Sequence, residues 1–178
     1  MTGYSRRLFG TAWSDAASNV PDAHNGCDTR NDILNRDLTN KTWRAGTHDC
    51  VVLSGSLRDP YTGRTIPFAK ARATDVQIDH VVPLGDAWQK GAQSWSAAER
   101  LSFANDPLEL LAVDGPTNER KGDGDAATWL PPNKSFRCAY VARQIAVKAK
   151  YHLAVTAAER AAMLGILDGC PGQPLAVE

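Results

Sequence analysis

Residues 74–84, TDVQIDHVVPL, constrain the chain more than any other stretch. Val76, Ile78 and the Val81-Val82 pair predict a strand, and Pro83 closes it because proline cannot donate to a continuing ladder. Inside this apolar run sit Asp79 and His80. A carboxylate and an imidazole beside four aliphatic side chains need partners, since an unpaired buried polar group is expensive. Two arrangements satisfy that need: a local hydrogen-bonded pair at a strand end, or a metal-ligating carboxylate beside a general base. Strict two-residue alternation sends Asp79 and His80 to opposite faces, so they serve one site only if the strand ends, twists or bulges there.

The chain of 178 residues, 43% of them hydrophobic, is long enough for one substantial core, and we read it as a single domain over 1–178. No run approaches the length of a membrane-spanning helix, so no membrane partner is expected. The opening MTGYSRRLFG lacks the apolar core of a signal peptide, and the expectation is a secreted chain written without its signal. Cys27, Cys50, Cys138 and Cys170 are an even set without the tight spacing of a zinc or redox motif. The shortest closures are Cys27 to Cys50 and Cys138 to Cys170, and two such disulfides imply an extracellular location; four ordinary buried thiols are the alternative.

The net charge is zero, yet the charges are blocked. Residues 36–72 carry net +4, residues 134–160 net +5, and residues 75–125 net −6. Basic flanks around an acidic centre suit a cation-dependent enzyme acting on a polyanion, although solvated surface charge gives the same pattern.

Along the chain, Asp28 or Thr29 caps a short helix through DTRNDILNRDL, where Arg30 either meets a phosphate or pairs with a neighbouring aspartate. Residues 50–55 predict a strand that returns through RTIPF after the turn DPYTG. Trp88 and Trp95 bracket an expected glycine-containing loop, and Ser96 with Glu99 forms a capping box for a helix to about Leu101. LELLAVDG predicts a second strand, with Leu108, Leu110 and Ala112 alternating against Glu109, Leu111 and Val113. A short helix follows Pro116 and sets Asn118 and Lys121 on one face. Cys138, Val141, Ala142, Ile145, Ala149 and His152 mark the apolar stripe of a long helix, with Arg143 and Lys150 opposite and His152 a packing residue at its end. Thr156 and Glu159 cap a last helix.

Asp79-His80, then Asn118 and Lys121 across strand, strand and helix, resembles the order of the HNH, or ββα-metal, nucleases. More closely, DHVVPL with AW, GA and W downstream, then FANDP, AV, N..KGD and W.PP, looks like the branch that includes the C-terminal domain of GmrSD-type restriction enzymes and secreted actinobacterial nuclease-like proteins. The likeness runs over about residues 74–155, and FGTAW and NGCDTRN also look like the secreted members. The resemblance implies an α+β fold: a ββα-metal catalytic core at 74–125, with an additional N-terminal hairpin and C-terminal helices. It implies a divalent metal, Mg2+ or Mn2+, held by Asp79 and Asn118, with His80 as the general base that activates water. Lys121 either contacts substrate phosphate or anchors its helix. Where the family commonly carries asparagine before the second strand's leucine, this chain has Glu109, which accepts but has no amide donor. Either Glu109 fixes the His80 loop by another geometry, or activity is weakened, and Asn105 stands near enough in sequence to supply an amide.

The expected function is a monomeric endonuclease hydrolysing nucleic acid, DNA before RNA, with little base specificity, since no helix-turn-helix or zinc-finger pattern is present. Arg30, Arg143, Lys148 and Lys150 are the candidate substrate contacts. A nucleic-acid-binding module that has lost catalysis and a disulfide-stabilised interaction domain are the two competing readings.

Overall fold

Asp28 opens helix α1 (Thr29–Asp37) by accepting from the Asn31 backbone N–H at 2.9 Å, and Ile33 and Leu34 become its buried edge. The chain runs from α1 straight into strand β1 (Leu38–Trp43), an element without a sequence signal because only Leu38 of its six residues is buried. Strands β2 (Val52–Arg58) and β3 (Thr65–Ala69) form the expected hairpin, and β1 pairs with the outer side of β2 to give an antiparallel sheet β1-β2-β3. The hairpin turn is an Asx turn. Asp59 accepts from the backbone N–H groups of Tyr61 and Thr62 at 3.3 and 2.7 Å, and Gly63 supplies the positive φ of +74°. The computed structural model describes residues 2–177.

A second antiparallel sheet holds β4 (Val76–His80) and β5 (Leu110–Asp114), in a register that sets His80 opposite Leu110 and Val76 opposite Asp114. Strand β5 starts later than expected and does not alternate between buried and exposed. Leu110 and Ala112 pack with Ile33, Val52 and Ile78, whereas Leu111 and Val113 pack with Tyr61, Tyr140 and Val141. Covered on both faces, such a strand reads as a continuous apolar run.

Between β4 and β5 lie helix α2 (Leu84–Gln89), whose end enters the expected Trp88–Trp95 loop, and helix α3 (Ala97–Ala104) behind the complete Ser96/Glu99 capping box. The strand stops at His80, before the Val81-Val82 pair expected to continue it, and Pro83 is the residue that directly precedes α2. After β5, Asp114 caps helix α4 (Gly115–Lys121) by accepting from the Thr117 N–H at 2.9 Å. Gly115 is obligatory: a Cβ there would stand 2.0 Å from the Thr74 carbonyl oxygen. Helix α4 packs against both β4 and β5.

Helix α5 (Arg137–Lys150) is present, but its buried face is rotated from the expected stripe. Tyr140, Val141, Gln144, Val147 and Lys148 point inward, and His152, expected to pack, is exposed beyond the helix end. The apolar stripe misleads because two polar residues belong to the core side. Helix α6 (Ala157–Leu167) starts at Thr156, whose hydroxyl accepts from the Glu159 N–H, while the Glu159 carboxylate turns into the interior instead of closing a capping box. No helix among the described residues is long and apolar enough to cross a membrane.

Both expected disulfides are present, Cys27–Cys50 joining the approach to α1 to that of β2, and Cys138–Cys170 joining the start of α5 to the chain after α6. Nonreducing peptide mapping should recover these two linked pairs. Cys138→Ser/Cys170→Ser should lower unfolding stability by roughly 2–5 kcal/mol in a denaturant titration. An unchanged midpoint would show that the bridge does not constrain the unfolded chain.

Candidate functional site

Strand β4 ends at His80, and this ending resolves the alternation problem: Asp79 and His80 line a common cleft of about 380 Å³ together with Gln77, Asn118, Arg30 and Asp123. The Asp79 carboxylate is buried and spends one oxygen, Oδ2, on two donors. The Lys121 ammonium lies 2.6 Å from it, and the Tyr61 hydroxyl donates to it from the tip of the β2–β3 hairpin. Burial raises the Asp79 pKa, while the Lys121 charge and the donated hydrogen bonds oppose that rise. Lys121 also donates to the His80 carbonyl oxygen at 2.6 Å, so it anchors α4 to the end of β4. Asn118, one turn earlier, donates to Gln77 Oε1 at 2.9 Å.

His80 is buried, with Nε2 3.0 Å from the Ala104 carbonyl oxygen and its ring stacked on Trp13 at 5.8 Å and 17°. A carbonyl only accepts, so the proton of the neutral ring sits on Nε2 and the lone pair on Nδ1. Burial lowers the His80 pKa to about 3, with the Arg6 charge acting in the same direction. At neutral pH the imidazole is therefore uncharged.

Glu109 answers the question its sequence position raised. It is completely buried, and its two carboxylate oxygens accept from the Val82 N–H at 3.1 and 3.2 Å. Its backbone oxygen accepts from the Val81 N–H at 2.8 Å. Glu109 thus braces the turn after His80 as an acceptor, and burial pushes its pKa well up, toward the protonated form. Asn105 does not reach His80 through a hydrogen bond; its amide joins the Ser14 N–H to the Leu101 carbonyl.

Of the four cations expected to meet substrate, Arg30 alone lines the cleft, where its Nη2 donates to the carbonyls of Ala73 and Val76. Lys148 is 3% exposed and paired with Asp86 and Glu159 at 3.1 and 2.8 Å. Lys150 pairs with Asp106 at 2.9 Å, and Arg143 donates to the carbonyls of Pro107 and Leu108. These three serve packing around the 105–110 segment and helix α2. Sequence reasoning missed Tyr61, Gln77 and Trp13. Tyr61 had one signal, a large aromatic inside an otherwise polar turn.

The groups able to hold a cation are the Asp79 carboxylate, through the oxygen that bonds neither Lys121 nor Tyr61, and the Asn118 amide oxygen, whose partner nitrogen is occupied by Gln77. Among the described residues no group of three or more His, Cys, Asp or Glu forms a metal cluster. A partial oxygen shell of this kind fits a hard divalent ion that keeps waters and takes substrate phosphate oxygens.

The family of GmrSD restriction endonucleases, C-terminal domain, matches residues 28–166. The chain belongs to this family. A further relative, an "Uncharacterized secreted protein" of Arthroderma benhamiae, is 43% identical over 146 residues, which is 81% of this chain and 68% of that protein. No solved structure matches the chain. The matched span of the GmrSD C-terminal-domain member contains both sheets and all of α1 to α5, and therefore every group of the cleft except those contributed by the N-terminal arm.

Holding His80 neutral has a measurable consequence. The unfolded chain takes up a proton near the ordinary histidine pKa that the folded chain refuses until about pH 3, so this group makes stability fall as pH drops below about 6.5. The slope approaches about 1.4 kcal/mol per pH unit. Denaturant titrations should show wild type losing about 1 kcal/mol more than His80→Asn between roughly pH 6 and pH 5. Parallel slopes would mean that the imidazole titrates alike in both states.

Proposed function

We propose that this protein is a secreted, metal-dependent endonuclease of the HNH type that hydrolyses DNA phosphodiester bonds with little sequence specificity. The observation that carries the reading is the His80 tautomer: Nε2 bonded to the Ala104 carbonyl leaves the lone pair on Nδ1, in a side chain that lines the same cleft as Asp79 and Asn118. His80 accepts the proton of the attacking water as the new oxygen–phosphorus bond forms and one phosphate ester bond breaks; the departing oxygen takes its proton from solvent. The depressed basicity of His80 follows from burial, and a phosphate entering the cleft supplies the negative charge that offsets it. Asp79 and Asn118 hold the divalent cation, Mg2+ or Mn2+, whose chemistry is to neutralise charge on the phosphate and the leaving oxygen. Arg30, fixed on the cleft wall by two carbonyls, orients a phosphate oxygen, and Lys121 is an anchor.

The family description as restriction endonucleases supports a nucleic-acid substrate and favours DNA over RNA. The two disulfides, together with a relative described as secreted, support an extracellular location.

His80→Ala should keep most divalent-metal affinity but lower single-turnover cleavage of a linear duplex by about 10²–10⁴-fold. Asp79→Ala and Asn118→Ala should weaken metal binding, with part of the loss returning at high metal concentration. Cleavage untouched by chelator, or His80→Ala cutting at the wild-type rate, would overturn the mechanism. If wild type cuts neither DNA nor RNA with Mg2+ or Mn2+ while Glu109→Asn does, Glu109 marks a binding module that has lost catalysis.

A further inference from the structure

Residues 2–27 precede the family match, yet they build one wall of the site. A 3-10 turn at Arg6–Phe9 buries Phe9 against Leu84 and Phe103, and Gly10, at φ +84°, passes so close to Leu101 that a Cβ would stand 2.6 Å from its Cδ1. The arm then brings Trp13 onto the His80 ring. Trp13 itself adopts φ +57°, which is costly for a bulky side chain and persists only where neighbours over-determine it. Those neighbours are Asn105, which accepts from the Ser14 N–H at 2.8 Å, and Thr29, whose N–H donates to the Trp13 carbonyl at 3.3 Å.

Beneath the arm lies a second chamber of about 380 Å³, with Phe9, Trp13, Leu84 and Ala104 on its sides and His80 at its border with the cleft. Arg6 lines both chamber and cleft and is exposed. An apolar, aromatic-sided chamber next to an exposed guanidinium matches a nucleotide part by part: a planar base that gains from stacking, and a phosphate that needs a cation. The chamber is too small for a base pair with its two backbones, so the nucleotide in it is unpaired. Resting on the nuclease reading, we propose that the N-terminal arm forms a subsite for one unpaired nucleotide beside the scissile phosphate, with the base in the Phe9/Trp13/Leu84/Ala104 chamber and its phosphate on Arg6.

The test uses the full chain without metal and two probes, deoxyadenosine 5′-monophosphate and 2-deoxyribose 5-phosphate, titrated calorimetrically. Wild type should bind the nucleotide about tenfold or more tighter than the sugar phosphate. Trp13→Leu should erase that preference. Thr11→Tyr, at an exposed position that lines the chamber, should erase it by filling the space, and it keeps the test decisive if Trp13→Leu fails to fold. Arg6→Ala should weaken both probes by a similar factor, about three- to tenfold. Equal affinity for the two probes, or an intact preference in Thr11→Tyr, would overturn the subsite. Because binding is read without cleavage, a protein that prefers the nucleotide but cuts nothing refutes the nuclease reading and keeps the subsite. Metal-dependent cutting with no nucleotide preference does the reverse.

Discussion

The Lys121 ammonium is the group on which the rest of the site depends. It is fully buried, and it bridges the Asp79 carboxylate on β4 to the His80 carbonyl at the end of the same strand. Two charges in the interior carry a desolvation cost that their attraction repays only with good geometry and further hydrogen bonds. Here Tyr61 adds a hydrogen bond to the same carboxylate oxygen. That contact requires the first sheet to reach the second, and Asp59 makes the connection: its Oδ1 accepts from the Tyr61 N–H inside the hairpin turn and from the Asp114 N–H where α4 begins. Turn, strand end and helix start are thus tied into one frame around Asp79.

The blocked charges along the sequence find part of their explanation in packing. The acidic middle and the basic C-terminal third meet inside the protein, where Lys90 bonds Asp86, Asp125 and Glu159, and Lys148 bonds Asp86 and Glu159. Burial lowers the Lys90 pKa, but the hydrogen bonds it donates to three carboxylates outweigh that desolvation and raise it. This cluster locks α2 to α5 and α6, directly behind the turn that follows His80. Of the basic residues in the C-terminal segment, Lys148 and Lys150 are thus neutralised by Asp86 and Asp106 of the acidic middle. The cleft's own positive charge comes from Arg30 and Arg6, which sit outside the most basic segments.

What was legible in the sequence follows from the range of the interactions concerned. The ends of α1, α3 and α4 were readable because Asp28, Ser96 and Pro116 act on groups within one turn. Strand β4 was readable from Val76 and Ile78, but it ends at His80, short of the Val81-Val82 pair and Pro83 that were expected to close it. Strand β1 was not, since an edge strand that buries one residue leaves no pattern, and the face of α5 was misread because Gln144 and Lys148 are polar core residues. Gln144 is held inside by the Val81 carbonyl, 63 residues away in sequence. Of the cleft members, Asp79 and His80 stood out as polar residues inside an apolar strand and Asn118 through the resemblance of DH and N..KGD to the HNH order, whereas Tyr61 and Trp13 arrive from distant segments whose own sequence says nothing of their place at the site.

Glu109 shows why a departure from a family motif has to be weighed against geometry. The requirement at that position is an acceptor for the Val82 N–H, which keeps the chain after His80 from drifting, and a carboxyl group meets it as well as an amide does. The cost is a buried carboxyl near Asp79 and Asp106, and burial favours its protonated form, which avoids adding a negative charge that no cation pairs beside those two. Nor does the turn rest on Glu109 alone. The Val81 carbonyl accepts from Gln144 Nε2 at 3.1 Å and from the Tyr140 hydroxyl at 3.4 Å, both on α5. With the strand end held on one side by Glu109 and on the other by α5, and the imidazole fixed between Ala104 and Trp13, the orientation of His80 is set by four separate segments, and no single substitution in the motif is enough to define it.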